Sequence, residues 1–219
     1  MKRILLSVFT LTVTFTLHAQ QAERFDPKAA AKALENGPKI IQAPAPATKT
    51  APNDDAEMRP KSVRKPKSGF PQDHDSDPVV ERSFDPKGAV VRERRQSGIV
   101  EDIPYVAIPI LFKFDSDQLL DTISSENLRG LATVLRPLLA KGARFAIEGH
   151  ASAEGDPDHN LILSDKRAAK IRSLLTEGQG LETSAFTARG FGARFAEHSA
   201  KAPETERQLD RRVLVLRMK

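Results

Sequence analysis

The composition of this chain breaks near residue 103, and the break decides how much of it can hold a core. From residue 20 to residue 102 lie most of the 15 prolines, charges of both signs, and few apolar residues at no regular period. Such a stretch cannot bury enough apolar surface to offset the entropy of ordering it. From Ile103 onward, apolar residues return in runs and alternations of ordinary strand and helix length. The expected organisation is a disordered linker over residues 20–102 and one folded domain over residues 103–219, roughly 115 residues and within the usual size of a domain.

Within that domain, residues 106–114 (VAIPILFKF) read as a strand, with Pro109 tolerable at an edge or bulge. Residues 125–141 read as a helix, because Leu128, Leu131, Leu135 and Leu138 gather on one helical face and Gly142 follows as a stop. Residues 143–149 alternate as a half-buried strand. A second helix is expected over residues 160–177, with Leu163, Ile171, Leu174 and Leu175 on its buried face, then strands over residues 186–191 and 212–218. Helices alternating with strands at this length pack on one sheet, an α/β sandwich.

At the front, Lys2 and Arg3 precede an apolar stretch from Ile4 to Leu17 that ends near Ala19, the pattern of a secretory signal over residues 1–19. The stretch is shorter than the roughly 20 apolar residues a bilayer core requires. Cleaved export is therefore expected, with no transmembrane segment in the mature chain. Cysteine is absent, which removes disulfides, thiolate catalysis, cysteine-ligated zinc and a lipidated cysteine. The formal charge is +5, there is no tryptophan and a single tyrosine, and Lys2 and Arg3 leave with the signal. No basic stripe or stacking platform suggests nucleic acid.

Inside the linker, residues 43–52 (APAPATKTAP) and 60–71 (PKSVRKPKSGFP) read as polyproline-like tether, and residues 29–36 allow one brief helical turn. Phe25-Asp26-Pro27-Lys28 recurs as Phe84-Asp85-Pro86-Lys87. A local turn or chance is the preferred reading, a docking motif for a partner the other.

The residues that suggest chemistry cluster between the second strand and the second helix: Gly149-His150-Ala151-Ser152-Ala153-Glu154-Gly155, then Asn160, Leu163-Ser164 and Arg167-Ala168. With Phe112-Lys113-Phe114-Asp115-Ser116, Gly190-Phe191-Gly192 and Arg211-Arg212-Val213, this pattern resembles the OmpA-like peptidoglycan-associated domain over residues 103–219. The resemblance implies a βαβαβ-β domain with two main helices on one face of a four-stranded mixed sheet. It also implies non-covalent binding of diaminopimelate in peptidoglycan stem peptides, with an aspartate holding the ammonium and an arginine the carboxylate. Arg167 matches the arginine, and a planar guanidinium suits a carboxylate because it can grip both oxygens and stays charged. A solvated charge on a helix face is the plainer reading of Arg167.

The chain departs from the family hallmark Gly-His-Thr-Asp, since Ala151 and Ser152 stand at its third and fourth positions. A hydroxyl holds an ammonium less tightly than a carboxylate does, by about 1–2 kcal/mol, or roughly tenfold in affinity. Asp115 or Glu154 is expected to compensate, although Asp115 equally suits a turn. The expected ligand-binding set is thus Asp115, Ala151, Ser152, Asn160 and Arg167, with Glu154 as a substitute ammonium partner. Gly149 is expected to permit a close backbone approach, Asn160 to tie the loop or cap the helix, and Arg211 and Arg212 to pair with acids or line the rim.

His150, Asp156 and His159 do not form a recognised zinc spacing, and Ser152 lacks the Gly-x-Ser-x-Gly elbow. Neither catalysis nor a metal or other cofactor is expected. The resemblance implies a periplasmic protein, associated with the cell wall or the outer membrane. Its partners would be peptidoglycan and, through the linker, another envelope protein. The alternative is a protein-interaction adaptor in an envelope complex, whose peptidoglycan site has degenerated.

Overall fold

The computed structural model describes residues 22–42 and 79–219. The expected signal at 1–19 and the middle of the expected linker lie outside the described residues. In chain order the elements are α1 (Pro27–Leu34), β1 (Lys39–Gln42), β2 (Val79–Asp85), β3 (Val90–Arg95), β4 (Ile99–Ile108), α2 (Thr122–Ala140), β5 (Phe145–Gly149), α3 (Pro157–Ser173), β6 (Phe186–Gly190), α4 (Glu204–Asp210) and β7 (Val213–Arg217). They build one 7-stranded sheet in the order β2-β3-β4-β7-β5-β6, with β1 also paired to β4. The β5–β6 pair is parallel and the others are antiparallel, so the sheet is mixed.

The expected strand and helix order is present as β4-α2-β5-α3-β6-β7, with the short helix α4 inserted ahead of β7. The first strand is shifted from its expected span: β4 starts at Ile99 and stops at Ile108. Pro109 has no N–H to continue the ladder, so residues 109–121 become a loop, pinned by the Phe112–Leu119 bridge and by Leu111 N–H donating to Ser124 Oγ at 3.0 Å. Asp121 caps α2, accepting from Ser124 N–H at 2.7 Å. A pentad of π-helical turn, Leu174–Gly178, extends α3.

The expectation of a disordered linker through residue 102 does not hold for residues 22–42 and 79–102. These residues cannot make a core of their own, but they share the core of the rest. Ala30 and Leu34 of α1 are buried in the same cluster as Leu131 and Leu135 of α2. The Asn127 side chain ties residues 23–25 down, accepting from Phe25 N–H at 2.9 Å and donating to Glu23 O at 2.7 Å. The two copies of the Phe-Asp-Pro-Lys repeat differ: the first caps and opens helix α1, and the second is a turn. Asp26 Oδ1 accepts from Lys28 and Ala29 N–H at the start of α1, and Asp85 Oδ1 accepts from Lys87 and Gly88 N–H between β2 and β3.

Alternation along the strands sorts side chains between two faces. Phe145, Ile147, Val213, Val215, Ile108 and Phe186 meet the helices in the main core. Ile103, Tyr105, Leu214 and Leu216 face the other way and are covered by Val91 and Phe84 of the β2–β3 hairpin. Arg82 of β2 reaches Glu148 of β5 at 2.9 Å, although β3, β4 and β7 separate those strands in the sheet. The sheet therefore curls until β2 lies against β5. For the same reason β5 is not half-buried as expected; Glu148 and His150 on its second side are buried as well.

Candidate ligand-binding site

The site forms where the C-terminal end of β5 runs into α3. Gly149 and Gly190, at the ends of neighbouring strands, let α3 approach the sheet closely. A Cβ on Gly149 would lie 2.1 Å from Ser164 O, and one on Gly190 would lie 2.2 Å from Asp165 N. No side chain fits at either place, as expected for Gly149. The loop that follows is held from within. Ala151 N–H donates to Gly192 O at 2.9 Å, Asn160 Nδ2 donates to Glu154 O at 2.7 Å, and Asp156 caps α3 by accepting from His159 N–H at 2.8 Å. Asn160 thus ties the loop, and the cap is Asp156 instead.

Arg167 leaves α3 toward the loop that precedes α2. Its Nε donates to Ser116 O at 3.0 Å, and its guanidinium carbon lies 4.9 Å from the centre of the Phe112 ring. Among the described residues no acceptor takes either Nη and no carboxylate pairs with the group. The guanidinium is thus oriented by one nitrogen and a ring face while its other two nitrogens stay available. Burial lowers its pKa, the nearby Arg211 charge adds to this, and Asp115 and Asp117 pull the other way. It remains a cation regardless. A crevice of about 10 Å³, the space of one water, opens beside it between Phe112, Gly149, His150, Arg211 and Arg212.

Asp115 stands on the same loop with φ 49°, a left-handed backbone that aspartate tolerates better than most residues. Its Oδ1 lies 2.6 Å from His159 Nε2, and both side chains are about half exposed. Phe114 beside it is fully exposed. Ala151 and Ser152 are buried. Ser152 Oγ lies 3.4 Å from both Glu154 Oε1 and Arg211 Nη1.

Glu154 belongs to a closed ring of four charges. Its oxygens pair with Arg207 Nη1 at 2.7 Å and Arg211 Nη1 at 3.2 Å, Arg207 Nη2 pairs with Glu204 at 2.8 Å, and Arg211 Nη2 closes the ring on Glu204. The Arg211 and Arg207 hydrogen bonds hold the Glu204 carboxyl below its ordinary value. This ring from α4 lies over Ser152, and both Glu154 oxygens are engaged in it. Arg212 pairs with Glu197 at 2.9 Å. Asp210, buried, accepts from Glu197 and His198 N–H and so fastens the 191–203 loop to α4.

His150 lies on the opposite side of β5, its ring stacked 5.6 Å from that of Phe191. His150, Asp156 and His159 therefore have three separate tasks, and among the described residues no His, Asp and Glu group is arranged around a metal.

Residues 111–211 match the OmpA family. Over these residues, just under half of its length, the chain is similar to that family. The match covers the loop bearing Asp115, the loop at residues 149–156, Arg167 and the charge ring, but it leaves out α1, strands β1 to β4 and β7.

Solved structures similar to this chain include the peptidoglycan-associated lipoprotein from Burkholderia pseudomallei, 24% identical over 49% of this chain and 87% of that one, with a TM-score of 0.42. The cell wall anchor of the T6SS from Pseudomonas aeruginosa is 22% identical over 53% of this chain and 80% of that one, with a TM-score of 0.44. A putative MotB-like protein from Desulfovibrio vulgaris is 19% identical over 64% and 78%, with a TM-score of 0.44. No curated protein matches the sequence. No helix of the described residues is long and apolar enough to cross a membrane.

Proposed function

We propose that the OmpA-like domain binds peptidoglycan without chemical change and anchors an envelope component to the cell wall. In this reading Arg167 takes the carboxylate of diaminopimelate through its two Nη atoms, and Asp115 takes the ammonium. Ala151, Ser152 and Asn160 shape the wall between them. Glu154, with both oxygens held by arginines, closes the wall and does not meet the ammonium. The observation that carries the reading is the Arg167 guanidinium, oriented by Ser116 O and Phe112 yet without a carboxylate of its own. At family level the OmpA match supports peptidoglycan-associated anchoring. The chain would act in the periplasm, exported by the segment at residues 1–19 and reaching a second envelope protein through its N-terminal linker.

Co-sedimentation with purified sacculi tests this directly. Wild type pellets, Arg167→Ala stays in solution, and Asp115→Ala weakens pelleting. A chain that stays in solution in every form refutes the reading. The adaptor reading is favoured by one observation, the neutral Ser152 beneath the charge ring. Ser152→Asp separates the two: it raises the pelleted fraction if the site is a weakened peptidoglycan site, and changes nothing if the domain is an adaptor.

A further inference from the structure

We propose that Arg82 is a positioning residue for the ligand loop, and that the β2–β3 hairpin is therefore part of the binding unit although it lies outside the family match. The proposal rests on reading residues 149–156 as the ligand loop.

Arg82 is almost entirely enclosed, with a side chain 3% exposed, and it joins three elements. Its Nε lies 3.1 Å from Glu93 Oε1 on β3, and its Nη2 lies 2.9 Å from Glu148 Oε1 on β5. Its guanidinium carbon is 5.4, 5.3 and 5.1 Å from the ring centres of Phe84, Phe191 and Phe195. Glu148 immediately precedes Gly149, where the ligand loop departs. Phe191 N–H donates to Gly149 O and Ala151 N–H to Gly192 O, each at 2.9 Å, so the loop carrying Phe191 and Phe195 is stitched to the ligand loop. A second route runs through Phe84, whose ring lies 4.8 Å from the guanidinium carbon of Arg212. Arg212 borders the crevice beside Arg167, and its carbonyl accepts from His150 N–H at 3.0 Å.

Buried ion pairs add little net stability, because desolvation offsets much of their attraction, and apolar residues of similar size often replace them without loss. What a guanidinium supplies is direction: its Nη2 hydrogen-bonds Glu148 at a set angle while the same rigid plane is held against Glu93 by charge. An apolar side chain would hold the hairpin on the sheet without fixing the end of β5.

The test exploits this difference in the full-length chain. Arg82→Met alone strands two buried carboxylates, so the informative variant is the triple Arg82→Met, Glu93→Gln, Glu148→Gln, which leaves no buried charge unpaired at this site. Leu34→Ala, in α1, serves as a control for loss of stability without contact to the ligand loop. Two readouts are taken: affinity for sacculi, and hydrogen exchange of the Ala151 and Phe191 amides. The triple variant is expected to bind about tenfold more weakly and to exchange those amides at least tenfold faster than Leu34→Ala. Arg82→Lys, which keeps the charge and loses the fork, falls between. Wild-type exchange at both amides in the folded triple variant overturns the proposal, whether or not the chain binds sacculi. Failure of wild type to bind, with fast exchange in the triple variant, overturns only the peptidoglycan reading.

Discussion

Arg167 and His150 sit on opposite sides of the same strand end and face opposite electrostatic problems. Arg167 is partly buried with free donors, so the ligand carboxylate proposed for it would gain more there than at an open surface. Replacing it by lysine keeps the charge but loses the planar pair of donors, and sacculus affinity is expected to fall about tenfold for Arg167→Lys, from the roughly 1.5 kcal/mol of a charged hydrogen bond. His150 is buried, neither ring nitrogen has a hydrogen-bond partner, and its Nε2 lies 3.5 Å from Glu148 Oε2. Burial pushes its pKa below the ordinary 6.5, against the pull of Glu148. The unfolded chain therefore binds a proton near pH 6.5 that the folded chain refuses, and stability is expected to fall as pH drops below that value.

Glu148 acts in the same direction lower down. Burial alone would raise its pKa, but His150 and Arg82 hold it below 4.5, so its stabilisation is lost as pH falls through the acid range. Glu93, raised by burial, works the opposite way. Thermal melts between pH 7.5 and pH 5.5 should show a declining midpoint in wild type and a flatter profile in His150→Phe, a change that keeps the ring stack. Equal slopes would remove His150 as the cause. Arg167, Gly149 and Asn160 were legible because each matches a fixed spacing. Arg82, Arg207 and Glu204 were not, since no short spacing links them to the residues they meet.

At the scale of elements, the contact between α3 and the ends of β5 and β6 sets the shape of the site. Gly149→Ala forces a Cβ against Ser164 O, and the helix can yield only by moving the ligand loop with it. Urea unfolding should show a loss of about 3 kcal/mol, at the upper end of ordinary overpacking costs; a loss below about 1 kcal/mol would mean that the helix shifts freely. Helices α2 and α3 and strands β5, β6 and β7 are readable from periodicity, because each buries one face against the shared core.

The hairpin was missed although its signals are present. Val79-Val80, Val90-Val91 and Ile99-Val100 flank turns at Asp85-Pro86-Lys87-Gly88 and Gln96-Ser97-Gly98. Its strands are dense in charge, and the average over the whole proline-rich stretch hid them. Arg82, Glu93 and Arg95 look solvent-facing until the fold curls them together. Helix α4 was missed for another reason: its seven residues bury Asp210 and no apolar side chain, so it carries no periodic signal.

Across the whole molecule, segments far apart in sequence close one sheet on both faces. Helix α1 docks through Leu34, whose carbonyl also accepts from Arg217 Nη1 at 2.7 Å near the other end of the chain. Leu34→Ala should cost about 2–5 kcal/mol, the range for truncating a fully buried leucine, while leaving sacculus affinity unchanged. A parallel loss of binding would mean that α1 shapes the site. Calorimetric titration with a soluble diaminopimelate stem peptide, compared with its form amidated at the diaminopimelate carboxyl, tests the role of the Arg167 guanidinium most directly. Wild type is expected to bind the free acid at least tenfold more tightly than the amide, and Arg167→Ala to treat the two alike. Equal binding of acid and amide by wild type would contradict the account.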